Sequence, residues 1–365
     1  MVLAYCTTYY HLFNIIQLKL TKLSNENVDL LLSSDVDFTT LEKPLKKSGL
    51  FNNVILSPIK NFFWCKEFNE IKSFERSSYF FSKVKSGHGL AIDEYYEHLY
   101  IGLDDAYNKF LYYCLSKNTD NVAVHFYDEG TASYVTSISE RLKKDGIPHD
   151  HFGRKNFNLA IKEILLYAPE IRIVKDVYPV NPIPKIDRHN MDIKTIFNSI
   201  FSYHEFTEKK YIYFESASFQ DFMPTMDIDV LDMVANIVGK ENIVIKLHPR
   251  TKNDRFTRRG YSVMPSENLP WEIYAMNESV EDKVFLSNAS TAALTSKIIF
   301  DVSIHTINLF KMDLLEKTLY TRQKDFPEVY KMQEKLFNQD KLCFFAPEDE
   351  NGLTRIIKYI ERNKQ

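Results

Sequence analysis

Val122-Ala123-Val124-His125-Phe126-Tyr127-Asp128-Glu129-Gly130 decides the fold. Six mostly apolar residues end abruptly in two carboxylates and a glycine, and Thr131–Leu142 then carries apolar residues at helical spacing. That is a buried strand, a tight exit and a helix that returns over the sheet. The same grammar recurs on the N-terminal side. Val2–Cys6, Val28–Leu32, Val54–Leu56 and His98–Leu103 read as strands. His11–Leu23, Thr39–Lys47 (stopped by Gly49) and Ala106–Leu115 read as helices, and Thr131–Leu142 ends near Gly146. Alternation of this kind predicts a parallel sheet covered by helices on both faces.

The pattern breaks at Tyr178-Pro-Val-Asn-Pro-Ile-Pro184, which suits neither a helix nor a central strand, and which one amphipathic helix follows around Ile193–Phe201. Alternation then restarts. Tyr211–Phe214, Ile243–Leu247, Val284–Leu286 and Ile298–Val302 read as strands. Ile228–Val238 (closed by Gly239), Trp271–Met276, Thr291–Ser296 and Gly352–Arg362 read as helices. The expectation is an α/β chain of two Rossmann-like domains facing a cleft. Residues 1–180 form the first domain, 181–208 a linker and helix, and 209–365 the second.

Composition agrees. A chain of 365 residues is too long for one ordinary core, and 44% apolar with 26% charged residues is globular. The 27 Phe and 22 Tyr fill large cores or offer stacking surfaces to sugars and bases. A net charge of −3 without a dense basic block argues against a nucleic-acid partner. Cys6, Cys65, Cys114 and Cys343 are scattered, without a metal-type spacing, and fit a reducing compartment. With neither a signal peptide nor a run of about 18 apolar residues, the expected location is cytoplasmic. Exposed Lys and aromatic residues leave peripheral contact with the inner face of a membrane open.

Ligands of such sheets bind beyond the carboxyl ends of strands, where three strings fall. Asp128 and Glu129 offer a general base, since crowding and burial raise a carboxyl pKa; the bland reading is a helix cap ahead of Thr131. His248 ends Ile245-Lys246-Leu247-His248-Pro249-Arg250, and Pro249 holds it extended. It can donate to a phosphate or protonate a leaving group, or simply be a turn residue. Ser287, Ser290 and Thr291 of Phe285-Leu286-Ser287-Asn288-Ala289-Ser290-Thr291 line a helix start that suits a phosphate or is plainly capped. Glu215 and Ser216, after the strand Tyr211–Phe214, are placed by the fold at the nucleotide pocket.

Other patterns are weaker. Asp35-Val36-Asp37 and Asp227-Ile228-Asp229 have the Asp-x-Asp spacing of metal-dependent sugar transferases, a common chance pairing. His149-Asp150-His151 lacks further ligands nearby. Asn277-Glu278-Ser279 and Asn288-Ala289-Ser290 match a glycosylation sequon, which a cytoplasmic protein does not use. No Walker-type or G-x-G-x-x-G phosphate loop occurs.

In this order, Asp128-Glu129-Gly130, His248-Pro249 and Ser290-Thr291 resemble the motifs of bacterial sialyltransferases, and of glycosyltransferase family 52 in particular. Cys6-Thr-Thr-Tyr-Tyr-His11 and Pro270-Trp271-Glu272 are similar to further segments of that family. The resemblance implies a GT-B fold and an inverting, metal-independent transfer of sialic acid from CMP-sialic acid to a terminal galactoside of a capsular or lipooligosaccharide glycan. It implies Asp128 as the base, with Glu129 as second candidate. His248 and Pro249 with Ser287, Ser290 and Thr291 would stand at the donor phosphate, and Tyr10, His11 and Gly130 on the acceptor side. It also implies a homodimer and no cofactor. Some members of the family transfer another sugar, so a UDP-sugar or CDP-glycerol donor stays open, as does a non-catalytic glycan- or nucleotide-binding protein.

Overall fold

The computed structural model describes residues 1–33, 36–57, 95–102, 106–116, 119–144, 157–203, 209–218, 223–251, 253–265, 269–288, 290–323, 326–338, 340 and 342–363. Asp35, Cys65, Leu103, Gly146, His149, Asp150, His151 and Ala289 lie outside the described residues. The chain divides into two compact units. One holds residues 1–186 and 191–202, the other 187–190 and 203–365.

The first unit is built on strands β1 (Val2–Cys6), β2 (Val28–Leu32), β3 (Asn53–Leu56), β4 (His98–Ile101), β5 (Ala123–Tyr127), β6 (Ile161–Leu166) and β7 (Val180–Pro182). Their order is β3-β2-β1-β4-β5-β6-β7, and the pairings are parallel. Every residue of β1, β2 and β5 is buried. Unbroken apolar runs, rather than alternating ones, are what strands covered on both faces require. The order reverses between β1 and β4, so the loops after these two strands diverge and leave a crevice at the carboxyl end.

The second unit repeats the plan. Strands β8 (Tyr211–Phe214), β9 (Ile243–Lys246), β10 (Ser262–Val263), β11 (Val284–Ser287), β12 (His305–Asn308) and β13 (Phe344–Phe345) lie in the order β10-β9-β8-β11-β12-β13. These pairings too are parallel. Helix Asp227–Val238 and helix Glu350–Arg362 press Leu231, Val234, Leu353, Ile357 and Ile360 onto Tyr213, Ile245, Leu286 and Ile307 of the sheet. The reversal lies between β8 and β11. Trp271 packs edge-on against Phe214 and Phe285 of these strands, with centroids 4.8 and 5.3 Å away. Pro270-Trp271-Glu272 therefore serves packing.

Two expectations need correction. The segment Thr131–Leu142 is two helices, Thr131–Val135 and Ile138–Lys144, because Thr136 is extended. Asp176, from a distant loop, accepts from the backbone N–H groups of Ile138 at 2.7 Å and Ser139 at 2.9 Å, and so starts the second helix. Ile298–Val302 is not a strand. Helix Ala292–Phe300 runs through it to Asp301, whose φ of 58° ends the helix, and the strand is β12. Within Tyr178–Pro184, Val180–Pro182 pairs with β6 as an edge strand, where a proline needs no ladder partner on its open side. The helix around Ile193–Phe201 is Met191–Phe201, and it belongs to the first unit, where Phe197 stacks on Phe13 at 4.6 Å.

Candidate functional site

The sharp turn after β5 carries the candidate residues of the first unit. Gly130 adopts φ 110° and ψ −154°, a conformation a residue with a Cβ resists. That turn folds the Asp128 carboxylate back on its own loop, where Oδ1 accepts the Gly130 N–H at 2.8 Å. The Tyr10 hydroxyl donates to the same oxygen at 3.2 Å. The Tyr134 hydroxyl donates to Oδ2, and the Tyr167 N–H approaches it at 3.5 Å. Asn14 ties down the backbone by donating to the Asp128 carbonyl at 2.7 Å. Asp128 is fully buried, and burial pushes its carboxyl up to about 6 against the pull of these donors. Asp128 thus closes the turn without capping the helix, whose N-cap is Gly130 and has no side-chain capping bond, and its raised carboxyl is of the kind that functional sites use.

Glu129 is half-buried and lines a surface pocket with Gly102, Ser133, Thr136, Ile138 and Arg141. Its N–H donates to the Ser133 hydroxyl at 3.0 Å, so the pair of carboxylates splits between interior and surface, as alternation along an extended chain requires. Tyr10 and His11 reach the same place from the first turn of helix Tyr9–Leu20, which follows β1. Thr8 caps helix Tyr9–Leu20 by accepting the His11 N–H at 3.1 Å. The His11 ring is buried edge-on to Tyr127, at 5.4 Å between centroids, and against Gly102, where a Cβ would stand 2.6 Å from His11 Cε1. Burial pushes the imidazole down to about 3, so it is neutral. Its Nδ1 takes the Thr7 N–H at 3.4 Å and lies 2.8 Å from the Thr7 hydroxyl. His11 shapes the crevice and brings no charge to it.

The second unit's candidate residues lie at the carboxyl ends of β8, β9 and β11. His248 follows β9, and the Arg250 N–H donates to its Nδ1 at 3.2 Å. In the neutral imidazole the ring proton then sits on Nε2. Pro249 and Arg250 are exposed beside it, while burial lowers the Lys246 ammonium. Glu215 is buried and serves the loop: it accepts the His248 N–H at 3.0 Å, the Thr251 hydroxyl at 2.5 Å and Arg255 Nη2 at 3.3 Å. Arg255 also grips both oxygens of Asp227. Asp227 is thereby committed to an ion pair, and Asp229 stands exposed near Arg259.

After β11, the Ser287 hydroxyl accepts the Ser290 N–H at 2.8 Å and curls the loop into helix Ala292–Phe300. Thr291 makes no side-chain capping bond there. Ser290 and Thr291 are half-buried, and the first turn of a nine-residue helix follows them. Such a turn, with hydroxyls beside it, suits an anion.

Behind this loop lies a buried polar set, of which sequence reading named Ser216 but not Asp313 or Glu316. Ser216 donates to Ser218 at 3.1 Å, and Ser218 to Glu316. The Asn288 amide donates to Glu316 at 2.8 Å and to Asp313 at 3.0 Å. Burial pushes the Glu316 carboxyl up to about 7. Nothing in the local pattern of Leu314–Gln323 distinguishes Glu316 from a solvated glutamate; only the strand order brings it under the loop. Tyr134, six residues past Asp128, was equally silent as one tyrosine among 22.

No protein-family profile and no curated protein matches the sequence. Solved structures do resemble the chain. Arabidopsis thaliana UGT89C1, solved with UDP, superposes at TM-score 0.51 with 9% identity over 99% of this chain and 90% of its own. The same protein with UDP-L-rhamnose gives TM-score 0.50 and 10% identity, over 100% of this chain and 90% of its own. An alpha/beta-galactoside alpha-2,3-sialyltransferase from Photobacterium phosphoreum gives TM-score 0.49 and 12% identity, over 94% of this chain and 98% of its own. The two parallel-sheet α/β units are thus those of the GT-B glycosyltransferase fold.

Proposed function

We propose that this chain is a glycosyltransferase that moves a sugar from a nucleotide-activated donor to a glycan hydroxyl. The observation that carries the reading is Asp128, a buried carboxyl raised to about 6 at the carboxyl end of a GT-B sheet. Deprotonating a sugar hydroxyl as it attacks an anomeric carbon needs a base of that kind, which contributes about 10²–10⁴-fold. Glu129 is the second candidate. The second unit supplies what the departing phosphate needs: His248 Nε2–H, the Ser290 and Thr291 hydroxyls and the first turn of helix Ala292–Phe300. With those groups meeting the charge, the reaction needs no divalent metal. Displacement by a hydroxyl deprotonated on the opposite face inverts the anomeric centre.

The donor we favour is CMP-sialic acid and the acceptor a terminal galactoside of a capsular or lipooligosaccharide glycan, at a cytoplasmic site. The support is the ordered set Asp128-Glu129-Gly130, His248-Pro249 and Ser290-Thr291, which resembles family 52. A UDP-sugar donor is the second reading, favoured by the likeness to a protein solved with UDP and UDP-L-rhamnose. Incubation with CMP-sialic acid and a lactoside, with sugar transfer and CMP release both measured, tests the first. We expect both products, in excess EDTA as well as without it. Thermal protection by UDP but not by CMP or CDP, with no CMP released, would select the second.

A further inference from the structure

The base just proposed is sealed from its substrate. Asp128 is 0% exposed, so an acceptor hydroxyl has no direct path to its carboxylate. Four donors surround that carboxylate: the hydroxyls of Tyr10 and Tyr134 and the N–H groups of Gly130 and Tyr167. Gly130, Tyr134 and Tyr167 are themselves buried. Tyr10 is half-exposed, at the start of helix Tyr9–Leu20, with its hydroxyl 3.2 Å from Asp128 Oδ1. Of these contacts, the Tyr10 phenol is the one that leads from the carboxylate toward the surface.

We propose that Tyr10 is the group that touches the acceptor, and that it relays the acceptor's proton to Asp128. This rests on the glycosyl-transfer reading above. As the acceptor oxygen bonds to the anomeric carbon, its proton passes to the Tyr10 oxygen and the Tyr10 proton passes to Asp128 Oδ1. The bond from the anomeric carbon to the phosphate oxygen breaks, and its electron pair leaves with the nucleotide. Tyr10 ends neutral and Asp128 protonated, so no free tyrosinate accumulates.

The structure favours this path in two further ways. Tyr134 and the Gly130 and Tyr167 N–H groups hold the carboxylate fixed while the Tyr10 contact is the longer of its two phenol bonds. The carboxyl also titrates near neutrality, as a proton terminus must. The ionisable groups facing it are Tyr10 from helix Tyr9–Leu20, Tyr134 from helix Thr131–Val135 and Tyr167 after β6.

The rival path is direct abstraction by half-exposed Glu129. Tyr10→Phe, Asp128→Asn and Glu129→Gln in the full chain separate the two. The relay expects Tyr10→Phe and Asp128→Asn each to lower kcat by about 10²–10⁴-fold with KM little changed, and Glu129→Gln to stay within about tenfold of wild type. Wild-type kcat in Tyr10→Phe overturns it. A second readout needs no turnover: the Asp128 carboxyl followed by ¹³C NMR through a pH titration. Loss of the Tyr10 phenol removes a bond to the charged form, so the midpoint should rise in Tyr10→Phe; an unmoved midpoint overturns the relay. An inert wild type would overturn the glycosyl-transfer reading itself, whereas an active wild type with an unaffected Tyr10→Phe would overturn the relay alone.

Discussion

Asp128 sits where stability and chemistry pull against each other. Its carboxyl is raised from 3.8 to about 6, so the folded chain binds that proton more tightly than the unfolded chain does. The charged form therefore costs stability above pH 6, by roughly 3 kcal/mol when fully ionised, and the cost disappears as pH falls toward 4. Asp128→Asn keeps an acceptor for Gly130 and Tyr10 and offers an amide donor to the Tyr134 oxygen. We expect its melting temperature at pH 8 to equal or exceed that of the wild type, and the advantage to vanish at pH 5, while transfer is lost at both. A variant that melts several degrees lower at both pH values would show that the charge is not what burial penalises. Glu215 is the corresponding residue of the second unit, and its role is to hold rather than to bind. Glu215→Gln keeps an acceptor for the His248 N–H and the Thr251 hydroxyl but removes the charge facing Arg255. Nucleotide affinity, read by calorimetry, should fall by about tenfold in Glu215→Gln and by more in Glu215→Ala, which frees the loop. Equal, wild-type affinity in both would remove Glu215 from the site.

Elements differ in how plainly local sequence specifies them. β1, β2, β5 and β8 were legible because each is an apolar run bounded by polar residues, and helix Thr39–Ser48 because Gly49, at φ 67°, stops it. Helix Ala292–Phe300 was misjudged for the same physical reason: Leu294–Phe300 is buried almost throughout, and a short apolar run reads alike as helix or strand. The break at Thr136 was invisible because its cause lies forty residues on, in Asp176. Asp176 accepts two backbone N–H groups and pairs with Arg172 at 3.0 Å, with both side chains nearly inaccessible. Arg172 in turn donates to the carbonyls of Ser133 and Thr136, and so locks the pocket wall that follows Asp128. Asp176→Ala removes a cap and strands a buried guanidinium, at a cost of about 3–5 kcal/mol. Urea unfolding measures it; a loss below 1 kcal/mol would mean that the helix starts without Asp176. Of the site, the sequence displayed the groups that end strands. It hid Tyr134, near in sequence but indistinct among 22 tyrosines, and Glu316 and Arg255, which come beside the strand-end loops only once the chain is folded.

Across the molecule, the perturbed carboxyls set two different pH scales. Asp128 and Glu316, raised by burial to about 6 and about 7, make the folded state more stable as pH falls from 8 toward 5. His98 opposes this. Burial and the neighbouring His125 lower its pKa, so the unfolded chain binds the proton first and stability drops as pH falls below the ordinary histidine value. Glu163 is lowered to about 2 by its bonds to His125, Lys22 and Asn181, which tie β5, β6 and β7 to the residues after the first helix. Its contribution is full above pH 4.5 and is lost as pH falls through that value toward 2. His11, buried and pushed down to about 3, opposes the two raised carboxyls in the same way as His98. Two raised carboxyls are thus set against two lowered histidines between pH 8 and 5.5, and the melting temperature should change little over that range and then collapse below 4.5. Activity requires the opposite of Asp128: the carboxylate form, gained as pH rises through 6. The stability that the Asp128 charge gives up, read as the melting-temperature difference between Asp128→Asn and the wild type, should therefore grow over the same pH range in which transfer rises. Parallel profiles of kcat and of melting temperature decide the matter. Midpoints of the kcat profile and of that melting-temperature difference more than about one pH unit apart would mean that the group whose burial lowers stability at neutral pH is not the group that takes the proton.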